Sequence, residues 1–435
     1  MRFCLLSVVL CFLFSVEVTY GSFVVMPMGS TAAATTSAHK KDATVVSVRE
    51  AALDSSADKT ILVIGACCLD RSIPIEAYPQ EDAKIRSTPN QPIVESGGGN
   101  GANTACAIAR LSPDIRVRLL TKIGDDTVGR ILMDDLAKDS VDLSSDLFCV
   151  VNGATTSMTH ILVASGSSDN AEVPDNSRTC IHTPGSCGEL KPQDIEIQKL
   201  GDVELMDRIF DGVIHFHSDS RHTEVARILA VEAKRRGIKI SVDAEKDRGA
   251  PHFDALLNLT DILFTNHQMC GSFLRRQIVD NEDRAPKKLD SDNQKFYKLT
   301  QFFKSTSSFQ DKRVIATRGR HGSFFACVRS NVETLGTVEV GIDKGVNVVD
   351  TTGAGDAFIG SFIAFLHRPE IDNLQGNKDH FLLRCATWVA GLSIEGIGRG
   401  TYPKIGELRK RIVPSNDLKD IESFLQSIIP LGTSF

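Results

Sequence analysis

With 435 residues, 42% hydrophobic and 24% charged, the chain is long enough for one large α/β domain with an excursion, or for two domains. A formal charge of -6 and a pI near 6.0 leave no basic face suited to nucleic acid. The 11 cysteines are scattered without a CxxC pair, which argues for reduced interior thiols, the adjacent Cys67-Cys68 included, rather than a disulfide framework.

Arg2 precedes an uncharged apolar run from Phe3 to Val16, too short to span a membrane comfortably but the size of a signal-peptide core. Residues 1–21 are therefore expected to be a signal peptide, with cleavage after Gly21. Residues 22–58, rich in Ser, Thr and Ala, read either as a transit-peptide-like spacer or as a disordered extension. The expected address is the secretory route, with a plastid as destination under the two-part reading; the alternative is the cytoplasm. No membrane span is expected in the mature chain.

The folded part, residues 60–430, opens with Thr60-Ile61-Leu62-Val63-Ile64-Gly65, apolar throughout as a buried parallel strand should be. Asp70 follows it, where a parallel sheet presents side chains to a ligand, although a turn cap is an equal reading. Residues 72–95 alternate poorly and read as an excursion. Next comes Glu95-Ser96-Gly97-Gly98-Gly99-Asn100-Gly101-Ala102-Asn103, followed by an alanine-lined helix. It is a poor dinucleotide fingerprint, because no convincing βα strand precedes it and no suitable acid follows. The amides of Asn100 and Asn103, which both donate and accept, suit the hydroxyls of a polyol better.

Residues 117–136 read as strand, turn and amphipathic helix. Thr155–Ala164 and Arg178–Thr183 alternate as a hairpin that, with 72–95, forms a small lid sheet. An exposed apolar lid face would suit pairing with a second copy of the chain. From Gly212 onward strands (212–217, 238–243, 261–266, 313–319) alternate with helices, the pattern of a doubly wound, mostly parallel sheet. His215 and His217 share one side of a strand; hydrogen bonding explains them better than metal ligation, since no third ligand declares itself. Residues 276–312 are highly charged and read as a solvated helix and loop.

Val346-Asn347-Val348-Val349-Asp350-Thr351-Thr352-Gly353-Ala354-Gly355-Asp356 reads as strand, glycine turn and helix start, with Phe358, Ile359 and Phe362 at helical spacing. Unpaired amides at a helix N-terminus attract an anion, so Gly353, Ala354 and Gly355 form a candidate phosphate cradle. Asp356, in the first turn, is placed to accept a proton from a hydroxyl beside it. After a helix over 380–394, the Gly396–Thr401 loop would either wrap a cation or close a turn.

Three motifs in this order, Gly98–Asn103, Lys122-Ile123-Gly124-Asp125-Asp126 with Gly129, and Asp350–Asp356, resemble the ribokinase-like (PfkB-type) carbohydrate kinase family over roughly residues 60–405. Tyr78–Arg86, Ser241–Lys246 and Arg178–Gly185 are most similar to ketohexokinase and its plant-type relatives. The resemblance implies a ribokinase-like α/β fold with a small β-sheet lid and transfer of the γ-phosphate of ATP, with Mg2+, to a sugar hydroxymethyl group. A ketohexose is its first candidate, and a ribokinase, a nucleoside kinase or a catalytically silent regulatory member are its alternatives. By position it implies Asp356 as general base, Gly353–Gly355 as anion hole, and Asp70, Gly98, Gly99, Asn100 and Asn103 as sugar ligands. Asn266, Thr317, Gly319, Gly322 and Gly355 fall where the family holds nucleotide. Asp350, Thr352, Ser393, Gly396, Gly398 and Thr401 correspond to its monovalent-cation site, for which K+ is the expected ion. Two departures stand out: the family's Asn-x-x-Glu reads Asn266-His267-Gln268-Met269, without its acid, and Arg320-His321 adds bulk at the nucleotide loop.

Overall fold

Strand β1 (Thr60–Ile64) shows how the chain builds its layers. Ile61 and Val63 point into one apolar core and Leu62 and Ile64 into another, on opposite faces of the same sheet. Burial on both faces is what a continuous apolar run requires, and it calls for helices on both sides. The computed structural model describes residues 59–143, 147–164, 177–195, 203–279, 292–306, 312–328, 333–338, 348–374, 377–411 and 419–428. The expected signal peptide and spacer lie outside them.

A second strand, β2 (Cys68–Ile75), and β3 (Val94–Gly98) belong to a separate small sheet. The main sheet continues with β4 (Arg116–Gly124), β5 (Val141–Asp142) and β6 (Phe148–Val151), and the small one with β7 (Met158–Ala164) and β8 (Ser177–Thr183). Then follow β9 (Val213–Ser218), β10 (Lys239–Ala244), β11 (Ile262–Asn266), β12 (Lys312–Thr317), β13 (Ser323–Val328) and β14 (Glu333–Val338). The main sheet runs β14-β13-β12-β11-β10-β9-β1-β4-β5, with β6 also on β4; all pairs are parallel except those of β13 with β12 and β14. The small sheet is ordered β3-β2-β7-β8, with β2 and β7 parallel. This is the ribokinase-like arrangement.

The Asn100–Leu111 and Ala354–Leu366 helices pack together beneath one face. Alanine and glycine let them approach: a Cβ on Gly360 would lie 2.5 Å from that of Ala107. Among the described residues, no helix is long and apolar enough to cross a membrane.

Three expectations need correction. Asp70 lies inside β2 of the small sheet, not at the carboxyl end of β1, because the chain turns at Gly65–Cys67 and re-enters extended structure at once. The charged 276–312 stretch holds an amphipathic helix, Asp292–Thr306, which buries Phe296, Leu299 and Phe303; the charges between them hid its apolar stripe. Val348 and Val349 form no strand. They are exposed, and the amides of Val349 and Asp350 donate to Ile394 O at 2.8 and 3.2 Å instead of joining a ladder. Residues 346–347 of that expected strand are outside the described set.

Candidate active site

The glycine motif closes around a carboxylate that the sequence reading passed over. Asp219, directly after β9 and 1% exposed, accepts from the amides of Ala66 (2.7 Å) and Gly101 (3.0 Å) through Oδ2. It thereby ties the end of β1 to the start of the Asn100–Leu111 helix. Gly65, Gly99 and Gly101 make room for this closure. A Cβ on Gly65 would strike the Asp219 carboxylate, one on Gly101 would lie 2.6 Å from Gly65 Cα, and Gly99 takes φ 91°. The available signal was position alone, an acid at the carboxyl end of a parallel strand.

Above this knot stand the expected sugar ligands. Asp70 lies over Gly98, where a Cβ would collide with its carboxylate, and Oδ1 accepts from Cys68 Sγ at 3.5 Å. Burial raises the Asp70 carboxyl above its ordinary range. Asn100 Nδ2 donates to Asp243 Oδ2 at 3.4 Å, and Asn103 Nδ2 donates to Asp356 Oδ2 at 2.9 Å. Asn103 Oδ1 is buried without a hydrogen-bond partner, an acceptor left open inside the site.

Asp356 sits in the first turn of the Ala354–Leu366 helix and is 7% exposed. Burial drives its pKa well up, opposed by the Asn103 bond and reinforced by the negative charges of Asp243, Glu245 and Asp219. Burial likewise pushes Asp243 up to about 7, with Glu245 and Asp219 adding to it. Gly353 caps the helix at φ 77°, and its carbonyl accepts from the Tyr402 hydroxyl at 2.8 Å. A side chain on Gly353 would collide with that hydroxyl, whereas a Cβ on Gly355 would meet nothing within 4 Å. The helix start thus faces open space with its amides unpaired by side chains, which suits an anion.

Asn266 and Thr317 are register partners at the carboxyl ends of β11 and β12. Asn266 caps the following helix, accepting from Met269 N (2.9 Å), and donates to Glu245 O (3.1 Å). Thr317 Oγ1 donates to Thr265 O at 3.3 Å. Gly319 and Gly322, at φ 56° and 75°, make the tight turn into β13. Asp350 and Thr352 bond each other just before the cradle, while Thr401 Oγ1 lies 2.7 Å from Ser393 O and 2.8 Å from Gly398 O. Gly396 packs against Thr401. Most of the sequence-picked residues therefore lie at the carboxyl edge of the main sheet or in the turns and helix starts beside it; Asp70 and Gly98 belong to β2 and β3 of the small sheet, and Ser393 ends the Lys378–Ser393 helix.

His215 and His217 are elsewhere. Both are fully buried within β9; His215 bonds Ser241 Oγ (2.7 Å) and His367 (2.8 Å), and His217 bonds the same hydroxyl (2.8 Å). Asp219, Asp243, Glu245 and Tyr402 were not singled out as site residues from sequence, although Asp243 and Glu245 stand in the Ser241–Lys246 motif.

The pfkB family carbohydrate kinase model matches residues 58–404. An ATP-dependent ribose-1-phosphate kinase of Halopiger xanaduensis is 28% identical over 306 residues, covering 70% of this chain and 83% of that protein. A ribokinase of Staphylococcus aureus is 27% identical, covering 73% and 91%. Among solved structures, the ribokinase of Giardia lamblia superposes with a TM-score of 0.63 at 20% identity, covering 81% of this chain and 98% of that one. The Arabidopsis thaliana ribokinase complexed with ribose and ATP superposes with a TM-score of 0.55 at 19% identity, covering 82% and 99%. The chain belongs to the pfkB family of carbohydrate kinases, phosphotransferases whose acceptor is an alcohol group.

Proposed function

We propose that the chain transfers the γ-phosphate of ATP to the hydroxymethyl oxygen of a sugar, with Asp356 as general base. The observation that carries this reading is the Asn103–Asp356 pair: a buried carboxylate held by one end of an amide whose other end is an unfilled acceptor, beside an open helix N-terminus. A sugar hydroxyl donating to Asn103 Oδ1 would satisfy that orphan and lie within reach of Asp356. Asp70, Asn100 and the Gly98–Gly99 backbone would hold the remaining hydroxyls.

The amides of Gly353, Ala354 and Gly355 would spread the charge of the transferring phosphoryl group, and alignment would supply most of the acceleration, as a loose transition state requires. ATP would extend across the ends of β11 and β12, over Asn266, Thr317, Gly319 and Gly322. Asp243 and Glu245, whose backbone carbonyl accepts from Asn266 Nδ2, are hard oxygen donors at the end of β10 and would suit a magnesium ion that arrives with ATP and neutralises its phosphates. The small sheet would cover the sugar and exclude water.

A ketohexose is the first candidate, on the motifs shared with ketohexokinase. Ribose is the second, on the names of the relatives. A coupled assay of ATP consumption by the chain with fructose, ribose, ribose 1-phosphate and adenosine separates them. Turnover on none of the four would sink the reading and favour a silent member.

A further inference from the structure

The residues expected to enclose a potassium ion meet a cation of the chain's own. Arg178, on β8 of the small sheet, donates from Nη1 to Thr352 Oγ1 at 2.5 Å, and the same nitrogen lies 3.8 Å from Asp350 Oδ1. That carboxylate oxygen also accepts from the amide (2.9 Å) and hydroxyl (2.7 Å) of Thr352. Three of the other expected ligands, Ser393, Gly398 and Thr401, turn to one another. Thr401 Oγ1 sits between the carbonyls of Ser393 and Gly398, Ser393 Oγ donates to Ala390 O at 2.8 Å, and Ile394 O accepts two amides. Asp350 Oδ1, Thr352 Oγ1, Thr401 Oγ1 and the carbonyls of Ser393 and Gly398 thus all have protein partners, and a guanidinium already stands against the carboxylate, an arrangement that suits a monovalent cation poorly.

We propose that Arg178 is the resident cation of the phosphate-cradle turn: a guanidinium carried by the lid that holds Asp350 and Thr352 in place and makes activity independent of potassium. The ends of the turn are tied by the Val349 and Asp350 amides on Ile394 O and by the Tyr402 hydroxyl on Gly353 O; the side chains of Asp350 and Thr352 between them turn to Arg178. A cradle aligns a phosphoryl group only if its amides are fixed before the reaction. Because Arg178 stands on β8, its charge reaches the turn only when the small sheet lies over the site, so covering the sugar and ordering the cradle become one event. Arg178 is a positioning residue, and its effect on turnover rests on the kinase reading above.

The test compares the full chain with Arg178→Ala and Arg178→Lys. Hydrogen exchange at the amides of residues 352–355 reads the turn without any substrate. Turnover is measured in potassium chloride and in tetramethylammonium chloride at equal ionic strength. The wild type should differ by less than about twofold between the salts, while Arg178→Ala should lose on the order of tenfold to a hundredfold in kcat with little change in the KM for ATP. Its exchange should quicken at 352–355 alone, potassium or free guanidinium should restore part of its turnover, and Arg178→Lys should keep most of it. Potassium activation of the wild type by about tenfold, or unchanged exchange in Arg178→Ala, would overturn the assignment. A wild type that phosphorylates no sugar would defeat the kinase reading, while the exchange comparison would still decide the role of Arg178.

Discussion

Strands β9 and β10 carry two clusters of buried polar groups on neighbouring residues, and the two differ in how their polar atoms are satisfied. Midway along the strands, His215 and His217 both bond Ser241 Oγ, and His215 also bonds His367; the buried His217 Nε2 lacks a partner. Burial lowers the pKa of all three, to about 4 for His217, so they are neutral and the cluster carries no charge. At the carboxyl ends, Asp219, Asp243 and Asp356 crowd together with amide partners; among the described residues no guanidinium or ammonium is hydrogen-bonded to them, although the Arg248 charge acts on Asp219 and Asp243. The first cluster is neutral and bonded mainly within itself, whereas the second gathers carboxyl groups beside an open helix start. Burial alone therefore does not mark a site; unpaired charge with spare hydrogen-bonding capacity does.

The sharpest way to break this contrast is to neutralise the open cluster at its centre. Asp356→Asn should lower kcat by about 10²–10⁴-fold while the melting temperature stays level or rises, because a buried charge is removed and the amide still reaches Asn103. Steady-state kinetics and calorimetry on the same sample check both halves. In the wild type, kcat/KM should fall with decreasing pH through an apparent pKa well above that of an ordinary aspartate, since the base must be ionised.

Asp243→Asn should be stabilising. With the folded pKa raised to about 7 from 3.8, the folded chain keeps a proton that the unfolded chain has lost, so stability declines as pH rises through that window. The variant escapes this loss and should gain roughly 2–4 kcal/mol at pH near 8, with no gain near pH 4. Denaturant unfolding at the two pH values measures it, and equal stabilities at both would refute the buried-charge argument.

The closed cluster should respond the opposite way. Ser241→Ala strands two histidines and should cost about 1–3 kcal/mol in the same unfolding measurement, with turnover within about twofold of wild type. A loss of activity larger than the loss of folded protein would place Ser241 in the site after all. For the histidines the folded pKa is depressed, so their stabilising effect is complete above the unfolded value near 6.5 and is lost as pH falls towards 4. The expected slope is about 1.4 kcal/mol per pH unit for each histidine, read from melting curves across that range.

Much of the site was legible because its residues are local in the chain. Gly98 to Asn103 and Gly353 to Asp356 each sit where a strand or connector meets a helix, and glycine followed by a polar residue and an apolar helix announces that geometry. Strand and helix alternation after Gly212 announced the parallel sheet in the same way. What stayed hidden depends on partners distant in sequence. Asp219 is 118 residues from the amide of Gly101 it accepts from, and Arg178 is 174 residues from Thr352. No spacing rule connects them.

The sequence by itself determined the layered α/β architecture, the glycine turn at Gly353–Gly355 and Asp356 in the first helical turn after it, because turn chemistry and hydrophobic period act over a few residues. It also carried the family, through three motifs in order. Only the tertiary structure decided that Asp70 reaches the site from the small sheet, that Asp219 locks the glycine motif, that the histidines are closed off beneath it, and that Asp350 meets Arg178. Each of these depends on which strand lies beside which, and that order is set by packing two apolar faces over the whole sheet.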